Sequence, residues 1–418
     1  AIYQHTQLVR SFVAEPCSKE ETEKILKLRF PNLVSLDVVL NHQDMQEWII
    51  GHPSITRLTL NGARSFNSKL WNGLLGFRHL KDFSMSCQKV DNKDIDTFWQ
   101  LCTQLERLEI SRLCIRHQGN LLSMTFPSIK KLEMNWAKDD NILEFVQRCP
   151  NLTSFKRFHG ELPTEFTSSF SELVTARTWP HLHSVSLGWD DIAEDTVLCI
   201  IGGMQRINAF EMYHVLDSFG SNAMGLLRPH FSHVSVLRLF ITFVSKNRIA
   251  QDILSSCPLL EQFMAPPIKA SVVAEGKPWV CTRLQKLKLM FVYEELTLPR
   301  LQPLVFDQLA RLVRLEDWSL ANYRSGRSYQ SLDLTLVNGL GKLSTLRSLR
   351  FIHYSSQVMG QHEIDWIFEH WTNLEDVGGQ LNIQDGAINE GLKKQLKERG
   401  ITFRPSYWWR YRVLWGQC

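Results

Sequence analysis

One short pattern recurs along this chain, and it leaves little freedom in the choice of fold. Its clearest copy spans residues 141–158. Ile142, Phe145, Val146 and Cys149 fall at i, i+3, i+4 and i+7, the apolar stripe of an amphipathic helix. Pro150 stops that helix, because it has no N–H to donate and disfavours the αR region at the residue before it. Leu152 and Phe155 then open a short strand. The far end of that strand is expected to be irregular, since Arg157 stands where most copies carry an apolar residue. The unit is therefore helix, proline stop, strand, and a similar unit returns along nearly the whole chain.

Aligned on L-x-x-L-x-L, the first strand residues are Leu33, Ile55, Leu80, Leu105, Ile129, Leu152, Leu182, Ile207, Val234, Leu260, Leu284, Leu315, Leu346 and Leu374. Their mean step is about 26 residues, inside the roughly 20–29 of leucine-rich repeats. Most copies are also apolar at +3 and +5, as in Leu58 and Leu60, Leu108 and Ile110, or Leu237 and Leu239. Period-2 alternation sends those side chains to one face and the intervening ones to the other. A helix whose apolar stripe is covered only by its neighbours makes the units stack. The expected fold class is α/β: a leucine-rich-repeat solenoid, or horseshoe, with a parallel β-sheet on the concave face and helices on the convex face.

Connecting helices are legible at Met45, Trp48 and Ile49, at Ile249, Ile253, Leu254 and Cys257, and at Ile364, Ile367, Phe368 and Trp371. Residues 9–14 read as an extra strand that shields the first repeat, and Ser18 with Glu21 offers a capping box to the helix that follows. The organisation expected is a capping strand and helix over 1–30, the solenoid over 31–403 and an aromatic, basic tail over 404–418. Three units are long, with the surplus in 160–177, 292–303 and 322–331. Such insertions are either binding elements on one face or plain spacer loops.

Composition narrows the classes of function. A chain of 418 residues exceeds the roughly 250–300 that one compact core serves, so it is either a repeat array or two to three domains. A net charge of +4 is too balanced to point to nucleic acid or an anionic membrane. No run approaches the roughly 18 apolar residues of a membrane span; the best, 234–244, is broken by Arg238. The nine cysteines include no C-x-x-C, and four of them (Cys102, Cys149, Cys257, Cys281) sit three residues before an anchor. Buried small hydrophobes fit that place better than disulfides, which suggests a reducing compartment, cytoplasm or nucleus. The chain starts at Ala1 without a methionine, which leaves a leader or an upstream domain open.

From residue 278 onward the sequence becomes more specific. Pro278-Trp-Val-Cys281-Thr-Arg-Leu-Gln-Lys-Leu287, Val305-Phe-Asp-Gln-Leu-Ala-Arg-Leu-Val-Arg-Leu315, Gly339-Leu-Gly-Lys-Leu-Ser-Thr-Leu346 and Ile364-Asp-Trp-Ile-Phe-Glu-His-Trp371-Thr-Asn-Leu374 follow in order. Together they resemble the fungal F-box/leucine-rich-repeat proteins, particularly the large Mortierella-type set. The Cys-Pro-x-Leu junctions at Cys149 and Cys257 are similar to the cysteine-containing repeats of F-box receptors generally. The resemblance covers the repeat array. It implies a substrate receptor of a cullin-type ubiquitin ligase, whose F-box binds the ligase's adaptor subunit while the repeats hold the target. The usual Leu-Pro-x-Glu-Ile-Leu signature is absent before Leu33: either it lies upstream of Ala1 or this copy has lost it, and an adaptor contact requires the former.

Other chemistry is weakly signalled. Gly339–Ser344 is similar to a phosphate loop, yet Leu336 stands where a Walker glycine is required and Leu343 where Ser or Thr follows the lysine. His181 and His183 bracket an anchor without the further ligands zinc needs. Asp190, Asp191, Glu194 and Asp195 lack the spacing of an EF-hand and suit a helix start. Asn151-Leu-Thr153 is a formal glycosylation triplet at a strand junction. The reading is a protein without catalytic chemistry, cofactor or metal of its own.

Binding is expected on the outward strand positions, +2, +4 and +6 from each anchor. The first half of the +4 column includes Asp37, Glu109 and Glu133, and later members include Lys156, Arg238, Lys288 and Arg350, Glu211 being an exception, so its sign shifts along the chain. The +6 column passes from Asn61, Ser86, Ser111 and Asn135 to Phe158, Tyr213, Phe240 and Met290. Aromatics, methionine and arginine are enriched at interfaces and their hot spots. The expected recognition patch for a protein target is Phe158, Tyr213, Arg238, Phe240, Lys288 and Met290; the alternative is that loops of the long repeats bury these positions as ordinary core. The tail from Arg404 to Trp415 either caps the last repeat or contacts a partner. Two other roles remain beside the ligase: a free-standing repeat scaffold or inhibitor, and a GTPase activator, for which no motif is present.

Overall fold

A computed structural model of the chain describes residues 8–14, 19–40, 43–63, 65–87, 89–111, 121–135, 142–158, 164–188, 192–215, 221–241, 248–265, 267–292, 298–322, 338–352, 359–379, 381–382 and 385–404. It divides into two compact units, Ala1–Arg206 and Ile207–Cys418.

The first unit opens with β1 (Ser11–Ala14), α1 (Lys19–Leu26), β2 (Ser35–Val39), α2 (Gln43–Ile50) and β3 (Arg57–Ala63). It continues through α3 (Ser68–Leu75), β4 (Asp82–Cys87), α4 (Ile95–Cys102), β5 (Arg107–Ser111) and β6 (Lys131–Asn135). It ends with α5 (Ile142–Gln147), β7 (Ser154–Phe158), α6 (Thr164–Thr175), β8 (Ser184–Leu187) and α7 (Glu194–Gly203). The strands form one parallel sheet in chain order from β1 to β8. The second unit begins with β9 (Ala209–Val215), α8 (Ser221–Leu227), β10 (Val236–Ile241), α9 (Ile249–Leu254), β11 (Gln262–Met264) and the short β12 (Ile268–Lys269). Then come α10 (Ala270–Ala274), β13 (Lys286–Val292), α11 (Leu298–Leu309), β14 (Asp317–Asn322) and β15 (Ser348–Ile352). Last are α12 (Gln361–His370), β16 (Asp376–Gly378), α13 (Gly386–Glu398) and β17 (Thr402–Arg404). Its strands are parallel in chain order too, β11 and β12 both pairing with β13.

Each unit is thus an α/β leucine-rich-repeat solenoid. Every anchor residue is buried, the most exposed being Leu374 at 6%. The turn before an anchor is closed by the backbone: the Leu152 N–H donates to Cys149 O at 3.2 Å, and Leu33, Leu80, Leu105, Ile129 and Leu182 do the same to the residue three before. That residue is buried in each case, whether Phe30, Phe77, Cys102, Phe126, Cys149 or Trp179. The four cysteines are free and buried here, and burial pushes the Cys257 and Cys281 thiols up to about 12, so they act as small hydrophobes. Pro150 lies within one such turn, between Cys149 and Leu152, and the helix before it ends at Gln147.

Three expectations change. β7 is not irregular at its end: Arg157 sits within it, paired with Met134 and Leu187, and is 3% exposed. Its guanidinium lies 4.9 Å from the Phe166 ring centroid, a cation–π contact that offsets part of the cost of burying it. The surplus in 160–177 is mostly the helix α6, and that in 292–303 leads into α11, so neither is simply a loop. Residues 323–331 of the third insertion, the Ser18 of the capping box and the tail beyond Arg404 lie outside the described residues. Among the described residues no helix is long and apolar enough to cross a membrane, and no group of three or more His, Cys, Asp or Glu is placed to hold a metal ion.

In the first unit the core is an aromatic seam. Phe98 is fully buried, with ring centroids 5.5 Å from Trp71 and 4.8 Å from Trp99, and Trp99 continues to Phe145 at 5.1 Å. Phe98→Ala is therefore expected to cost about 3–5 kcal/mol in urea unfolding, against about 1 kcal/mol or less for a surface change. His52 takes the turn position before Ile55. Its Nδ1 lies 3.0 Å from Trp48 O and its Nε2 accepts from the Phe30 N–H at 3.2 Å, an arrangement only the neutral ring satisfies. Burial lowers its pKa from 6.5. The unfolded state then binds the proton more readily, so stability falls as pH drops below about 6.5. The urea midpoint is expected to decline between about pH 7 and pH 5, and to decline less in His52→Gln.

Candidate functional site

Strand register arranges the outward residues of the second unit in two rows. The +2 row reads Gln262, Lys286, Asp317, Ser348 and Asp376 across β11 to β16. The +4 row reads Glu211, Arg238, Met264, Lys288, Ser319 and Arg350 across β9 to β15. The rows lie two residues apart on the same strand face, so charges meet diagonally. Arg350 reaches back to Asp317 (Nη1–Oδ2 3.3 Å) and forward to Asp376 (Nη2–Oδ2 3.2 Å). The Ser348 hydroxyl donates to the same Asp376 oxygen at 2.9 Å. Arg238 is held by Glu211 at 3.2 Å and donates to the Gln262 side chain.

Between these pairs lies a pocket of about 160 Å³, lined by residues that include Arg238, Gln262, Met264, Lys288, Asp317 and Arg350. Burial pushes the Lys288 amine down to about 8; Asp317 pulls it up and Arg350 pushes it further down. Burial also raises the Asp317 carboxyl, against the pull of Arg350 and with a further push from Asp376. A cation and a carboxylate, each displaced toward its neutral form, line the same small hollow.

Arg238 and Lys288, two residues expected in the recognition patch, line this pocket together. Tyr213 on β9 stands opposite Phe240 on β10, and Met290 on β13 opposite Ala321. Phe158 belongs to the first unit, on β7 opposite Asn135. The side chains of Phe158, Tyr213, Phe240 and Met290 lie outside the described residues. Sequence reasoning passed over Gln262, Asp317 and Asp376. All three belong to the +2 column, and their charge alternation with the +4 arginines was the available signal.

The first unit carries a different face. Its +4 row is Asp37, Thr59, Ser84, Glu109, Glu133, Lys156 and Ser186. Arg107 lies 3.5 Å from Glu109 and 4.0 Å from Glu133. Burial and the neighbouring Glu133 raise the Glu109 carboxyl, and burial raises that of Asp37, whose oxygen accepts from Asn61 at 3.3 Å.

Removing Arg350 leaves Asp317 and Asp376 without their shared cation. Arg350→Met is expected to lose about 1–3 kcal/mol of stability at neutral pH, less than a fully buried pair because its side chain is 20% exposed. Asp317 has a folded pKa raised above 3.8, so its contribution is fully present below that value and is lost as pH rises through the folded value. The penalty of the substitution, read by urea unfolding, is expected to shrink from about pH 7 to pH 4.

No family model matches the chain, and no curated protein matches it. Solved structures with a likeness to it include an internalin, InlF, from Listeria monocytogenes, at 13% identity over 86% of this chain and 88% of that one, TM-score 0.41. A chain of the Rad7–Elc1 complex of yeast aligns at 14% identity over 83% and 69%, TM-score 0.35. The leucine-rich-repeat ectodomain of the Arabidopsis receptor kinase HAESA, in complex with an extended IDA peptide hormone, aligns at 14% over 86% and 65%, TM-score 0.34. Likeness at these scores adds nothing to the fold, which stands on strand register and anchor burial.

Proposed function

We propose that this chain binds a protein through the outward faces of its strands, as the target-recognition part of an F-box, cullin-type ubiquitin ligase in the cytoplasm or nucleus. The observation that carries the binding half is the division of labour within β10 and β13. Inward residues such as Leu237, Leu239, Leu287 and Leu289 are at most 2% exposed, whereas the outward Arg238 and Lys288 are partly exposed around an open pocket. Side chains of that kind are not used up by the core, and they are suited to a partner's surface. The target patch in this reading is Phe158, Tyr213, Arg238, Phe240, Lys288 and Met290. The ligase half rests on the resemblance of the repeats from Pro278 onward to fungal F-box proteins.

The second reading is a free-standing repeat scaffold or inhibitor without a ligase role. The two are separated by expressing the complete open reading frame beside residues 1–418. The ligase reading expects the adaptor subunit to co-purify with the complete product and not with 1–418. A complete frame without an F-box, and without adaptor, leaves the scaffold. In either reading Tyr213→Ala with Phe240→Ala is expected to lower cross-linked partner at least tenfold, about 1.4 kcal/mol, with an unchanged melting curve.

A further inference from the structure

The pocket on the strand face of the second unit has a specific charge count. Four cations surround it: Arg238, Lys286, Lys288 and Arg350. Among the described residues three carboxylates answer them, Asp317 in the lining and Glu211 and Asp376 behind the two arginines, Asp376 being shared with Arg404 at 3.6 Å. Among the described residues the cations around the pocket outnumber its carboxylates. In the +4 row the neutral Met264 stands between Arg238 and Lys288, so two cations flank a strand that brings no charge of its own. From these features we infer that the pocket receives one carboxylate side chain, an aspartate or glutamate of the bound protein. This rests on the protein-binding reading and adds to it the chemistry of the residue recognised.

The physical case separates this ligand from its nearest relatives. A chain-end carboxylate is usually held by backbone N–H groups, and those of β11 and β13 are committed to the ladder. The hollow of about 160 Å³ takes a side chain of a few heavy atoms. A carboxylate there supplies Lys288 with an opposite charge, added to Asp317 and set against Arg350, Arg238 and its strand neighbour Lys286. Because the Lys288 amine in the free protein is held near 8 by burial, a bound carboxylate moves it upward. Affinity is then present below about pH 8 and declines as pH rises past it.

The test uses the whole chain with 13Cε-labelled lysine and three probes: N-acetylglutamate N-methylamide, its glutamine counterpart and its phosphoserine counterpart. The glutamate probe is expected to shift the Lys288 resonance saturably, to raise its titration midpoint by about half a unit or more, and to bind about threefold or more weakly at pH 9 than at pH 7. The glutamine probe is expected to do nothing, and Lys288→Gln assigns the resonance. Met264→Glu supplies the carboxylate from within: the Lys288 midpoint is expected to rise without probe, and the glutamate probe to lose about tenfold or more in affinity. A phosphoserine probe binding more tightly than glutamate overturns the carboxylate assignment, and so does the absence of a saturable shift. An affinity that stays flat from pH 7 to 9 removes Lys288 from the site. Failure of the probe with partner cross-linking intact condemns the pocket alone; loss of cross-linking with the probe still bound condemns the protein-binding reading instead.

Discussion

Repeat stacks on repeat in this protein through one backbone oxygen. In most repeats the carbonyl of the residue after the anchor accepts two N–H groups from the next repeat: Val34 O from Thr56 and Arg57, Thr56 O from Lys81 and Asp82, Lys81 O from Glu106 and Arg107. The same fork recurs in the second unit, where Ser235 O takes Glu261 and Gln262, and Glu316 O takes Arg347 and Ser348. With the anchor's own turn closed three residues upstream, the entry of every strand is held at a fixed place relative to its neighbour. Burying the anchor leucine contributes roughly 1.5–3 kcal/mol per repeat. The fork sets direction, and the leucine supplies most of the driving force.

That constraint acts only at the strand entry, so it tolerates what happens between entries. A repeat can lengthen to hold α6 or α11 and still return its next strand in register. It can also tolerate a charged residue inward, as at Arg157, provided an aromatic ring lies against it. Outward positions are under no such demand. They vary in sign and size from strand to strand, which makes them the natural place for recognition chemistry. Ion pairs along the +1 column, such as Lys130 with Glu106 at 3.0 Å, are exposed and add little to stability.

Much of this was legible in the chain beforehand, because anchor, +3 and +5 are read by the core alone and burial is a one-residue property. Leu33 to Leu374 could be aligned without knowing any neighbour. The helices inside the long repeats were less legible, since Phe166 and Phe170 lie in a polar, serine-rich stretch and, besides stacking on each other, pack on Phe155 and Trp179 from other segments. Arg157 shows the same limit: its strand position is plain in the sequence, but the Phe166 ring that shelters it is not. At the candidate site Arg238, Lys288 and Arg350 were visible as a column. The carboxylates that set their charge, Asp317 and Asp376, stand one row over and were not weighed.

The order of side chains is enough to decide strand polarity, repeat step and which face of each strand is core, because those follow from periodicity and from a proline that cannot continue a helix. It cannot decide that Arg350 is shared between Asp317 and Asp376, or that the Lys288 amine is held near 8. Those depend on residues some 26 to 62 positions apart becoming neighbours across adjacent strands, where distance and dielectric, not sequence separation, govern the energy.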